Sequence, residues 1–317
     1  MIHRTVLRTP LPAAHHPNST RRAWLALATT ALVGWGLPGC INLPHAEPMA
    51  AHLAGGLRLR PGLPDHRPGG ALPVGDKPVL WVPMHGLAHA AVSQLVPVPF
   101  LSEAIDAVAD RAEARSLAWL EAALDPQAAA RAGVQRAGLL APEGSVSSPV
   151  LSTYVVAQDC VDDRVRVALV GQLDGSDAKA PPLARYVVHL PTAWLRSDLS
   201  ATATRRRAAA GMRAEMDQAA SDLVDLLQRA RAARLTGNGR RADIGSLHLA
   251  GSASGGLVSP THVVAKSAEL IEDEGPVLLF RADGLPDINV LSGGLLFGVH
   301  RIARNALHTF KPVGGPG

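Results

Sequence analysis

Two strings in the chain gather residue types that carry chemistry: VLWVPMHGLAH, beginning at Val79, and LHLAGSASGGLV, from Leu247 to Val258. A serine on a tight strand-to-helix turn, with a glycine two places to either side, exposes a nucleophilic hydroxyl to a histidine base. Gly251 and Gly255 supply the glycines, but the central position falls on Ala253, with Ser252 and Ser254 beside it. A nucleophile displaced to Ser254, with His262, His300 or His308 as base, is the catalytic arrangement these residues allow. His85 and His89 are four apart, the spacing of two metal ligands on one helix face. HGLAH lacks the glutamate of H-E-x-x-H, however, Gly86 weakens the helix, and no third ligand follows by spacing.

The first string places His85 and Gly86 after an early strand, and the second reads as a glycine-rich serine turn. Together they resemble the α/β-hydrolases, a resemblance that implies an acyl-transfer site. The spacing departs from that family, because 61 residues follow Gly256 and the strands between the strings alternate as antiparallel ones do. GSASGG and LSGGLLFG lack the G-x-x-x-x-G-K-[ST] pattern of a phosphate loop and read as turns or close backbone packing. Cys160 lies in VAQDCVDDR, where Asp159, Asp162 and Asp163 disfavour a thiolate. The expectation is no catalytic residue, no metal site and no cofactor; a hydrolase with a rearranged nucleophile is the alternative.

The elements around these strings alternate in blocks. PVLWV (Pro78 to Val82) reads as a strand, and Leu101 to Ala123 as a helix capped by Ser102, ending at Asp125 and Pro126. A shorter helix follows from Pro126 to Ala137, stopping at Gly138. LSTYVVAQ, RVRVALVGQL and ARYVVHL are β-rich runs separated by turn residues, a three-stranded antiparallel meander with Val165, Val167, Leu169 and Leu173 on its covered face. Ala209, Met212, Met216, Ala219, Leu223, Leu226, Leu227, Ala230 and Ala233 recur at helical spacing, so a helix from about Ser200 to Leu235 should cover that face, with Gly237 its left-handed cap. THVVAKSAELI and PVLLFRA form a second hairpin. Leu295, Val299, Ile302, Ala306 and Phe310 then suggest a final amphipathic helix, with a basic side from His300, Arg301, Arg304, His308 and Lys311. The fold class expected is α+β, an antiparallel sheet packed against one long helix and shorter ones.

At the N-terminus, STRR (Ser19 to Arg22) precedes the uncharged apolar run AWLALATTALVGWG, and LPGC follows. A charged start, an apolar core and a small-residue end make a cleaved signal peptide, and the run is shorter than the 20 or so residues of a spanning helix. LPGC resembles the lipobox of bacterial lipoproteins, with Leu37 three places before the cysteine and Gly39 just before it. That resemblance implies cleavage between Gly39 and Cys40 and acyl chains, palmitate among them, on Cys40. Ile41 stands where an aspartate would hold a lipoprotein in the inner membrane, so the resemblance also implies the outer membrane, facing the periplasm. TRRAWL is similar to a twin-arginine export motif; the arginines equally serve a general secretory signal.

Cleavage changes the reading of charge. The net charge of +4 comes from Arg4, Arg8, Arg21 and Arg22; removing these four of the 31 basic residues leaves 27, equal to the 27 acidic ones. The argument from charge for nucleic-acid binding disappears. The domains expected are a signal peptide over 1–39, a lipidated N-terminus and Pro/Gly-rich tether over 40–76, and one α+β domain over 77–317 with a sub-boundary near 140–148. The partners expected are the membrane, through the acyl chains, and an envelope protein. The expected role is binding or assembly in the periplasm.

Overall fold

The chain joins the fold well before residue 77. In the computed structural model, Met49–Leu53 forms a short helix, α1, whose Leu53 is 1% exposed, and Leu57 behind it is equally buried. β1 (Arg58–Arg60) pairs in parallel with residues 150–152, and β2 (Leu72–Pro73) pairs antiparallel with β3 (Val79–Val82), the strand expected from PVLWV. The expected tether over 40–76 is thereby corrected: from Met49 onward the segment belongs to the domain. Its apolar residues, Leu53, Leu57, Leu72 and Val74, have no common period, so no sequence pattern marks them; each is held by a different neighbour. The structure describes residues 49–68, 71–82, 111–160, 163–177, 180–250, 260–282 and 297–314.

Residues 111–116 are helical, followed by α2 (Trp119–Ala123) and α3 (Pro126–Arg136). Asp125 caps α3 by accepting from the Ala128 N–H at 2.9 Å, and Pro126 opens it. Gly138, at φ +62°, ends the turn that follows. The expected sub-boundary near 140–148 is tied down: Leu57 and residues 139–141 exchange backbone hydrogen bonds, and Arg58 Nε donates to Ser148 O at 3.2 Å.

The meander forms as expected, as β4 (Val150–Cys160), β5 (Arg164–Asp174) and β6 (Ala184–Leu195). A short helix, α4 (Arg196–Ser200), leads into α5 (Thr202–Arg231), the long helix. Gly237 is not its cap. Ala233 takes the left-handed conformation instead, at φ 55°, and the Arg234 N–H closes back on Arg229 O at 2.8 Å. β7 (Arg241–Ala250) was not expected; it contains the start of the string read as a serine turn. β8 (Pro260–Glu272) and β9 (Val277–Ala282) are the expected hairpin.

The final helix is corrected to β10 (Gly298–Ala303), a 3-10 turn over 304–306 and β11 (Thr309–Val313). Helical spacing in its apolar residues was real but outweighed. β10 fills the gap between β9 and β6, satisfying both edges, and its Val299 and His300 face opposite sides of the sheet. Gly298 makes that insertion possible: its φ is +129°, and a Cβ there would lie 2.3 Å from Arg185 O on β6.

The sheet has eleven strands, far more than a meander and a hairpin. Its order is β11-β7-β8-β9-β10-β6-β5-β4-β3-β2, with β1 beside β3 along β4. It is mostly antiparallel; β1 and β3 run parallel to β4, and β10 runs parallel to β6. β7 approaches β4, and Arg166 on β5 reaches His308 just before β11, so the sheet curls its far end back over one face. All helices contribute to the opposite, convex side.

On that side Met212, Leu223 and Leu227 of α5 are fully buried against Val165, Leu169, Leu173, Tyr186 and Val188. Each buried leucine contributes about 1.5–3 kcal/mol. Gly171 sets the distance of approach, since a Cβ there would meet Leu223 Cδ1 at 2.7 Å. The concave side holds two further apolar clusters, around Tyr154, Val156, Val170 and Val187, and around Ile244, Leu270, Phe280 and Ile302. Both faces of the meander are therefore covered.

Candidate functional site

Alternation along β5 sends Val165, Val167, Leu169 and Leu173 to the helices and delivers Gln172 to the concave side, where it is fully buried. Gln172 lies directly opposite Arg185 on β6. Its Oε1 accepts from Arg185 Nε and Nη2 at 3.2 and 3.0 Å and from the Tyr154 hydroxyl at 3.1 Å. Its Nε2 donates to His66 O at 2.8 Å and to Asp174 Oδ1 at 2.9 Å. One amide thus ties β4, β5, β6 and the 61–68 segment together. Burial pushes the Tyr154 hydroxyl up, with the Arg185 charge opposing it, so the phenol keeps its proton. Burial also raises the Asp174 carboxyl, against the Gln172 hydrogen bond and the Arg60 charge. Both shifts arise from burial, and the hydrogen bonds to Gln172 engage both groups in holding the geometry of the cluster.

A second polar group sits at the parallel seam between β6 and β10. His189 Nε2 lies 3.1 Å from His300 Nδ1, and His300 stacks between His189 and Phe280 at centroid distances of 5.4 and 5.0 Å. Arg166 Nη2 lies 3.3 Å from His308 Nε2. Burial first, then the charges of His300 and Arg166, hold His189 well below its ordinary range. The two ring nitrogens share a hydrogen bond across the seam, with the tautomer setting which one donates. A cavity of about 20 Å³ adjoins His189, lined by Gln158, Arg166 and Arg185 with Val156 and Val170. Gln158 Nε2 is buried with no partner among the described residues, and this space is the size of a single water.

His300 and His308, read as candidate bases, are both on the concave side. His189 was missed; the signal was the alternation in YVVHL, which sets it opposite Tyr186 and Val188. His262 lies on β8 opposite His248. Cys160, read beside acidic neighbours, is the buried last residue of β4, its Sγ 3.8 Å from Gln158 O, so burial adds to their effect in keeping the thiol from reaction. Gly39, Cys40, His85, His89, Ser252 and Ser254 lie outside the described residues. Among the described residues no group of three His, Cys, Asp or Glu side chains is placed to hold a metal ion.

A larger cavity, of about 180 Å³, opens at the C-terminal end of α5. Met49 and Ala50 of α1 form one wall, with Ala230, Leu235, Tyr186 and Val299 facing them. Burial raises the Tyr186 hydroxyl, with Arg281 opposing the shift. Arg281 donates to Glu269 Oε2 at 2.7 Å and to Leu235 O at 2.6 Å, so its charge is engaged. This space suits an apolar group. Comparison with protein-family models, with curated proteins and with solved structures gives no match for the chain.

Proposed function

We propose that the chain is a lipid-anchored protein of the cell envelope, held at the outer membrane through acyl chains on Cys40, with a binding or assembly role in the periplasm. The observation that carries this reading is LPGC at the end of the apolar run, nine residues before Met49, where α1 begins. Nine residues span at most about 30 Å, so the α1 end of the domain stays close to the anchor. Two or more acyl chains, at about 0.8 kcal/mol per buried methylene, give stable attachment where one does not. Among the described residues no helix is long and apolar enough to cross a membrane. The polar groups of the concave face support a binding scaffold more than a reaction centre, because Tyr154 keeps its proton and Gln172 is committed to its four neighbours.

Expression with labelled palmitate, followed by intact-mass measurement, tests the anchor. Label and processed size should both disappear in Cys40→Ala. A processed chain with an unmodified Cys40 would sink the proposal.

A further inference from the structure

The start of α5, about 45 Å along the helix from its α1 end, carries features that the anchor does not explain. A cavity of about 300 Å³ lies there, walled by Trp81, Leu117, Leu199 and Val165, with Arg196, Ser200 and Arg205 at its polar side. Trp81 is fully buried, and its indole Nε1 has no hydrogen-bond partner among the described residues. A buried donor left unpaired is costly and calls for an acceptor such as a water or an ion.

The surroundings supply more donors and positive charge. Ala201, the N-cap of α5, offers no side-chain cap and the first turn holds no acidic residue, so the positive end of the helix dipole lies next to Ser200 and Arg205 of the cavity wall. Arg205, Arg206 and Arg207 add charge where the dipole disfavours it. Arg205 does not turn away: its Nε and Nη2 donate to Leu199 O and Ser200 O at 2.9 and 2.6 Å, and its guanidinium lies over Trp119. Arg196 stands over the Trp81 ring and is paired with Glu113, with Asp163 Oδ1 3.9 Å from its Nε. Glu113 is the one acid lining the cavity and is already engaged.

We propose that this cavity binds a small amphipathic oxyanion, a carboxylate or phosphate head on a compact apolar body. The head meets Arg196, Arg205 and the Trp81 N–H at the helix start; the body lies on Leu117, Leu199 and Val165. The proposal gives a ligand to the binding role above but depends only on the folded domain, so it stands or falls apart from the state of Cys40.

Phenyl phosphate is a suitable probe, with phenol as its neutral counterpart. Titrated into ¹⁵N-labelled exported protein, and in parallel into the Cys40→Ser chain, it should move the Trp81 indole N–H resonance saturably downfield, while phenol leaves it in place. Affinity should fall about tenfold in Arg205→Gln, the loss of one charged contact. Ser200→Glu sets a carboxylate inside the cavity, where the dipole favours it, and should block phenyl phosphate with the fold intact by circular dichroism. Phosphatidylglycerol vesicles, against phosphatidylcholine, distinguish a lipid headgroup from a soluble anion: whichever moves Trp81 in an Arg205-dependent way identifies the source. No response to either probe, equal binding of phenol, or binding unchanged by both substitutions would overturn the site.

Discussion

Replacing Gln172 with methionine should cost the domain far more than replacing Tyr154 with phenylalanine, although both lie in the same cluster. Methionine nearly conserves the volume of glutamine, so packing is retained. What it removes is the acceptor for two Arg185 N–H groups and the Tyr154 hydroxyl, and the donor to His66 O and Asp174 Oδ1. Arg185 is 1% exposed and Tyr154 fully buried, so water cannot simply replace the lost amide. A buried donor left unmatched costs about 1–3 kcal/mol, and more when charged. Arg185 and Tyr154 together therefore put the loss for Gln172→Met at about 3–5 kcal/mol, a third or more of the stability of many domains. Tyr154→Phe removes a donor and leaves Gln172 Oε1 still occupied by Arg185, a loss of about 0.5–1.5 kcal/mol. Urea denaturation followed by far-UV circular dichroism separates the two, provided the slopes match. If the variants lie within about 1 kcal/mol of each other, the amide is not the hub of this network.

The seam histidines make stability depend on pH. His189 is held well below 6.5, so as pH falls through that value the unfolded chain takes up a proton that the native ring refuses, and stability present above 6.5 drains away. The urea midpoint should drop between about pH 7.5 and about pH 5.5, and His189→Gln should flatten the drop; an unchanged slope would contradict the assignment. Ala233→Gly should stabilise the end of α5 by up to about 1 kcal/mol, measured by thermal melting, because glycine takes φ 55° without the Cβ penalty. Leu53→Ala should cost about 2–4 kcal/mol, whereas a residue in a free tether would cost nothing measurable.

Some of the fold was legible because local periodicity and burial agreed. The alternation of Val165, Val167 and Leu169 marked β5, and the stripe from Ala209 to Ala230 marked α5, since each pattern is what one buried face requires. Asp125, Pro126 and Gly138 bounded α3 through cap chemistry that acts within a few residues. The segment from Met49 to Val74 was illegible for the opposite reason: no local period marks it, and its residues 57–60 are held by partners 80 or more residues away, Leu139 and residues 149–152. Residues 298–310 carried a helical period that was overruled by an open place in the sheet between β6 and β9.

The site followed the same division. Gln172 and Arg166 alternate along β5 with Val165, Val167, Leu169 and Leu173, but only the curl of the sheet makes their face an interior, where Gln172 is a fully buried hub. No spacing rule connects Trp81, Arg196 and Arg205, which lie on a strand, a short helix and a long one. The sequence by itself determined the elements with one periodic face and the caps that bound them, and it is the sole basis of the proposal for Cys40, because those properties depend on neighbours along the chain. The tertiary structure alone decided which polar residues are buried together, because burial depends on which distant strands meet.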